Sequence, residues 1–126
     1  MNENEISRVV LFSAIEVHRT LGGPGLLESV YEEALAWELR EQGMTVERQK
    51  CVPVSYKGRV LGTPLRLDML VNDRVIVECK ATLDYSGVFE AQTLTYLRLM
   101  DLKLGLVINF GERLVKNGFH RVVNGL

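Results

Sequence analysis

Apolar positions along this chain repeat with two different periods, and the change falls near Gly43. Before it, Ile6, Val9, Val10, Phe12, Ala14, Ile15, Val17 and Leu21 recur every three or four residues. That spacing predicts a helix from about Glu5 to Leu21, with Asn2 or Asn4 available as its N-cap. Gly22-Gly23-Pro24-Gly25 cannot continue it, since three Gly and one Pro favour a tight turn. A second helix is predicted from Leu26 to Gln42, closed by Gly43 in a left-handed C-cap. Its apolar stripe is Leu27, Val30, Tyr31, Ala34, Leu35 and Leu39, with Glu32, Glu33, Arg40 and Glu41 turned to water and Glu28 bordering the stripe.

Beyond Gly43 the period shortens to two. Thr45 to Tyr56 mixes β-branched residues with charges, and Pro53 makes it an edge or bulged strand; Lys57-Gly58 then turns into Arg59-Val60-Leu61. Leu65–Val71 and Arg74–Ala81 form a hairpin around Asn72-Asp73. Helical spacing returns from Gly87 to Asp101, with Gln92 and Tyr96 one turn apart. Lys103 to Phe110 is nearly unbroken apolar sequence, as expected for a strand covered on both faces, and Gly118 to Val123 is a last short strand. The order α-α-β-β-β-α-β-β predicts an α/β fold, a mixed sheet flanked by helices, in one domain over residues 1–126.

Charge refines this picture more than composition does. Residues 1–47 hold nine acidic residues against three Arg, a net of −6, and the remainder holds twelve basic against seven acidic, +5. The basic half could present a cationic surface to a polyanion while the molecule stays near neutrality; solvated faces that merely differ in sign are the alternative. No run of about eighteen apolar residues exists and the N-terminus lacks a signal-like pattern, so a cytoplasmic protein without membrane contact is expected. Cys51 and Cys79 lack metal-ligand spacing and read as buried small hydrophobes. His18 and His120 are far apart, without Cys or Asp at ligand spacing, and read as surface or core-edge histidines.

The candidate chemistry lies in Val75-Ile76-Val77-Glu78-Cys79-Lys80-Ala81. Alternation puts Glu78 and Lys80 on one face and Val77, Cys79 and Ala81 on the other. Charges in so apolar a strand need compensation, from each other, from another carboxylate or from a metal ion. Asp68, in the preceding strand, is the nearest candidate. A two-residue loop would pair Asp68 with Val77 and turn it away from Glu78; a three-residue loop or a bulge would set it across from Glu78 on the same face. An irregularity between Met69 and Val77 is therefore predicted. Two such carboxylates suit Mg²⁺ or Mn²⁺, and with Lys80 beside them they form the parts of metal-dependent phosphodiester hydrolysis.

Gly25-Leu-Leu-Glu28-Ser-Val-Tyr31, Leu67-Asp68-Met69-Leu70-Val71, Val77-Glu78-Cys79-Lys80-Ala81 and the helix Glu90-Ala91-Gln92-Thr93-Leu94-Thr95-Tyr96-Leu97 together resemble the GxxExxY family of the PD-(D/E)XK nuclease superfamily. Leu67 stands where the superfamily's name has Pro. The resemblance implies a restriction-endonuclease-like core in which Asp68, Glu78 and the backbone carbonyl of Cys79 hold a divalent metal. It also implies that Lys80 serves the nucleophile and Gln92 lines the site, while Glu28 adds a ligand or braces one. Without a metal, Asp68 and Glu78 would instead be paired structurally with Lys80 or with an arginine such as Arg66. Tyr31 reads as a packing residue with its hydroxyl near the site, and Trp37 and Phe89 as core or interface. The expected activity is an Mg²⁺-dependent nuclease acting on DNA; the competing readings are a catalytically silent nucleic-acid-binding or assembly module and a homodimer whose interface is the functional surface.

Overall fold

The computed structural model describes residues 1–126. Helices α1 (Glu3–Thr20) and α2 (Glu28–Glu41) precede strands β1 (Val46–Val52), β2 (Ser55–Tyr56), β3 (Arg59–Val60), β4 (Leu65–Val71) and β5 (Val75–Lys80). Helix α3 (Val88–Met100), β6 (Leu104–Asn109), a 3-10 turn (Val115–Gly118) and β7 (Phe119–Val123) complete the chain. Five strands form one mixed sheet in the order β1-β4-β5-β6-β7, while β2 and β3 form a separate small hairpin over the Lys57-Gly58 turn. Only β5 and β6 are parallel, joined by α3 as the crossover.

The sheet separates two apolar layers. On one side Ile6, Val10 and Ala14 of α1 and Tyr31, Leu35 and Leu39 of α2 pack on Val75, Val77 and Cys79. On the other, Leu97 of α3 packs on Leu70, Ile76 and Val107. Every residue of β6 is buried, as its unbroken apolar run requires of a strand covered twice. Each fully buried Leu or Ile in these layers contributes about 1.5–3 kcal/mol.

Local chemistry sets the ends. Asn2 caps α1 in a capping box, its side chain accepting from the Glu5 N–H while its own N–H donates to Glu5 Oε1. Helix α2 starts two residues later than its periodicity suggests, because the Leu26 N–H is taken by the Tyr31 hydroxyl. Gly25 holds φ +115° there, a conformation that a side chain would strain. Leu27 is consequently 73% exposed, outside the stripe assigned to it.

The β4–β5 loop has three residues, Asn72, Asp73 and Arg74, with Val71 opposite Val75 and Met69 opposite Val77. This is the irregularity that the hairpin needs, and it places Asp68 level with Glu78. Asn72 and Asp73 adopt left-handed backbone, and Asn72 Oδ1 accepts from the Thr45 N–H.

Two expectations are corrected, for Cys51 and Glu32, and for His18 the core-edge alternative is the one found. Cys51 is exposed, because β1 is an edge strand and nothing covers its far end. His18 is buried, its Nε2–H donating to the Phe110 carbonyl. Glu32 does not face water: it is 4% exposed and holds Arg48 and Gln49 of β1.

Candidate active site

The β4–β5 ladder runs only as far as Met69 and Val77. At the next position side chains replace it: the Asp68 N–H donates to Glu78 Oε2 and the Cys79 N–H donates to Asp68 Oδ2, both at 2.8 Å. Each carboxylate thus spends one oxygen on main chain. The other oxygen of each takes no main-chain hydrogen bond, and the two carboxyl groups lie close enough to share one with each other when Glu78 is protonated. Neither acid joins any ion pair, with Lys80, Arg66 or another cation. Glu78 is buried and Asp68 half-buried. Burial, and then the Asp68 charge, push the Glu78 carboxyl up to about 8.

The other side of Asp68 is shaped by β1. Arg48 faces Met69 and Lys50 faces Leu67, yet Gln49 and Asp68 between them form no pair. Gln49 has φ +50°, left-handed backbone inside a strand. The faces invert across this point: Met69 packs with α1 and α2, whereas Leu67, two residues away, packs with α3. Glu32 secures the kink, accepting from Gln49 Nε2 at 3.0 and 3.1 Å and pairing with the Arg48 guanidinium at 3.0 Å. The ladder is therefore open on both sides of Asp68, and its carboxylate is free to meet Glu78.

A cleft of about 610 Å³ opens there, lined by Glu28, Glu32, Arg48, Gln49 and Asp68 with Leu27 and Ser29. Glu28, in the first turn of α2, is on its wall; burial raises its carboxyl, the nearby Lys80 charge opposes this, and Asp68 and Glu32 add to it. Tyr31 packs fully, stacked on Phe110 with ring centres 4.7 Å apart. Its hydroxyl does not reach the acids: it donates to the Gly23 carbonyl at 2.6 Å, tying the turn before α2 to the core.

Lys80 is half-buried at the end of β5, its Nζ 4.7 Å from the centre of the Phe89 ring. Asn109, its partner across β5–β6, is buried and accepts from the Thr82 and Gly111 N–H groups, holding the chain just beyond Lys80. From α3, Tyr96 senses the site, since burial and then the Glu78 and Asp68 charges raise its phenol. Gln92, one turn earlier, is exposed and makes no side-chain hydrogen bond. Trp37 is 59% exposed on α2, away from these groups.

Sequence reasoning missed Glu32 and Gln49. Glu32 had a signal, since it follows Tyr31 directly and precedes Leu35 by three, inside the arc that α2 buries. Gln49 had none, because nothing in a Gln marks left-handed backbone.

The donor set suits a hard divalent cation. No group of three or more His, Cys, Asp or Glu is placed to hold a metal ion, so any such cation would rest on the two carboxylates and on water, as Mg²⁺ does when it takes one or two carboxylates. No helix is long and apolar enough to cross a membrane. Residues 4–122 match the family model of the PD-(D/E)XK nuclease superfamily. No curated protein and no solved structure matches the chain.

Proposed function

The chain belongs to the PD-(D/E)XK nuclease superfamily, and from that premise we propose that it is a divalent-metal-dependent phosphodiester hydrolase acting on DNA. The observation that carries this reading is the Asp68–Glu78 pair, two carboxylates brought together without any protein cation in ion-pair range. Ionising both acids side by side is costly, so the metal-free pair keeps a proton on Glu78, and a cation bound between the carboxylates would take that proton's place. Asp68, Glu78 and the Cys79 main-chain carbonyl would hold Mg²⁺ or Mn²⁺, with Glu28 on the cleft wall as a further ligand or a brace for bound water. Once bound, such an ion polarises a phosphoryl oxygen and lowers the pKa of coordinated water.

The protein's own groups then divide the work. Lys80, held on the Phe89 ring by no ion pair, is free to turn its amine to the attacking water and to the charge that develops on phosphorus oxygens. Tyr96 would approach the acid pair from α3, and Gln92, exposed one turn earlier, would meet the substrate outside the cleft. Hydrolysis would leave a 5′-phosphate and a 3′-hydroxyl. Within the superfamily we assign the chain to the GxxExxY group, each of whose three letters has a physical task here. Gly25 supplies the backbone turn, Glu28 lines the cleft and Tyr31 bolts the turn to the core.

The same position of Lys80, over an aromatic ring rather than against an acid, favours one second reading, a catalytically silent nucleic-acid-binding module. A cleavage assay separates the two. Supercoiled and linear DNA are incubated with the protein and Mg²⁺, Mn²⁺ or EDTA, alongside Asp68→Asn and Lys80→Ala. Metal-dependent nicking by the wild type alone is expected. Equal cleavage by Asp68→Asn, or a mobility shift with no cleavage under either metal, would sink the hydrolase reading.

A further inference from the structure

A second cavity, sharing no lining residue with the acid pair's cleft, lies between the end of α1 and the 3-10 turn after β6. Its volume is about 360 Å³, within the range of small-molecule pockets. Three cationic side chains, Arg19, Arg113 and Lys116, line it, and no acidic residue does. Arg19 is tied to Glu16, but Arg113 and Lys116 form no ion pair. Their charges are available to a ligand.

The floor carries a ring nitrogen with no protein partner. His18 lines the cavity, is only 5% exposed, and donates from Nε2 to the Phe110 carbonyl at 3.1 Å. Its Nδ1 has no partner in the protein, and because no fully buried side-chain nitrogen is left unpaired, Nδ1 must reach the cavity surface. There it can accept a hydrogen bond from a ligand O–H. The carbonyls at the end of α1 would repel an anion, but they are already quenched: Gly23 N–H donates to His18 O at 2.8 Å and Gly22 N–H to Arg19 O at 3.2 Å. Neither glycine has any atom within 4 Å of where a Cβ would stand, so both leave the mouth open. Ile15, Leu114 and Val115 supply an apolar wall.

We propose that this cavity binds a phosphate group, held by Arg113 and Lys116 with His18 Nδ1 beneath it, carried on a free nucleotide or on the end of a nucleic-acid strand. Unpaired cations fit the anionic oxygens of a phosphate, the ring nitrogen at the cavity surface fits its P–O–H, and the apolar wall fits the body attached to it. The site is one residue from the proposed catalytic strand. Phe110, whose carbonyl accepts from His18 Nε2–H, donates its own N–H to the Lys80 carbonyl at 2.7 Å. Tyr31, stacked on Phe110, hydrogen-bonds Gly23 in the cavity lining.

The test needs neither metal nor cleavage, so it stands apart from the hydrolase assay. Inorganic phosphate, AMP and a 5′-phosphorylated octanucleotide with its unphosphorylated twin are titrated in EDTA and followed by ¹⁵N and imidazole NMR. The expected result is saturable shifts at His18, Gly22, Gly23 and residues 113–116, retained in Asp68→Asn and weakened about tenfold or more in Arg113→Ala/Lys116→Ala. Shifts from AMP identify a nucleotide site; shifts from the phosphorylated octanucleotide alone identify a strand end. Both replaced side chains are exposed, and Lys116→Glu serves as a second variant expected to abolish the shifts. No shift with any of the probes at about 10 mM, far above the ~1 mM of even weak sites, or equal affinity in the variants, overturns the proposal.

Discussion

Asp68 and Glu78 face each other across β4 and β5 where main-chain pairing has stopped, and each takes a hydrogen bond at 2.8 Å from the strand that carries the other. The main chain thus fixes both acids while leaving one oxygen of each without a main-chain bond. Rigid placement of like charges is a poor device for stability and a good one for gathering a cation.

That trade predicts opposite effects of one substitution. In Asp68→Asn the charge that helps raise the Glu78 carboxyl is gone, while an amide oxygen can still accept from the Cys79 N–H. The metal-free protein should gain about 1 kcal/mol at pH 8. Mg²⁺ affinity should fall by at least the ~10- to 100-fold that losing even an outer partner of a metal ligand costs. Chemical denaturation and isothermal titration check the two halves separately. Lower stability together with unchanged Mg²⁺ affinity would show that Asp68 is merely structural.

The raised Glu78 carboxyl also sets a pH dependence. Its folded value of about 8 lies above that of an unfolded glutamate, so its contribution is complete at acid pH and is lost as pH rises towards 8. Metal-free protein should therefore lose roughly 4 kcal/mol between pH 5 and pH 9. Divalent cation should restore most of this at the alkaline end, where the carboxylate is ionised, and its binding should release protons. Melting curves across that range, with and without Mg²⁺, test the slope. Glu78→Gln should flatten it, and an unchanged slope in that variant would place its origin elsewhere.

Tyr31 gives a prediction about the turn before α2. Tyr31→Phe keeps the stack on Phe110 and removes the bonds to the Gly23 carbonyl and the Leu26 N–H. The expected cost is about 1–2 kcal/mol. Glu28 would lose its fixed approach to the cleft, so half-maximal cleavage should need more Mg²⁺ while the saturated rate changes little. A metal titration of the cleavage rate decides this; a lower saturated rate at unchanged metal requirement would count against it.

Much of this arrangement was legible in the sequence because it rests on local rules. The unbroken apolar run of β6 announced a strand covered twice, and all six of its residues are buried. An irregularity between Met69 and Val77 followed from requiring Asp68 and Glu78 to share a face, and of a longer loop or a bulge it is the three-residue turn at Asn72 to Arg74. What escaped notice depends on partners distant in sequence. The helical wheel puts Glu32 within the buried arc of α2, but only Arg48 and Gln49, sixteen and seventeen residues on, explain how a carboxylate is tolerated there. Cys51 is exposed because the sheet ends at β1, a fact of topology rather than of cysteine chemistry. His18 is buried beneath Phe110, ninety-two positions away. The match over residues 4–122 agrees with the fold read from these patterns and says less about the roles of individual side chains.

Gln49 carries the last prediction, because its backbone decides where Asp68 can point. With φ +50° it breaks the β1–β4 ladder opposite Asp68, and Glu32 holds its amide in that shape. Gly adopts this conformation freely, so Gln49→Gly should keep the kink and the Mg²⁺-induced rise in melting temperature, with stability within about 1 kcal/mol of wild type. Val resists left-handed backbone at a cost of about 1–3 kcal/mol and favours the extended form. In Gln49→Val the ladder is therefore expected to close through residue 68, drawing Asp68 out of register with Glu78, and the Mg²⁺-induced rise should disappear even where the variant remains folded. Comparing the two variants by melting with and without Mg²⁺ separates geometry from stability. If both retain the metal response, the left-handed residue does not position Asp68; if both lose it, the Gln49 amide held by Glu32 matters rather than the backbone angle.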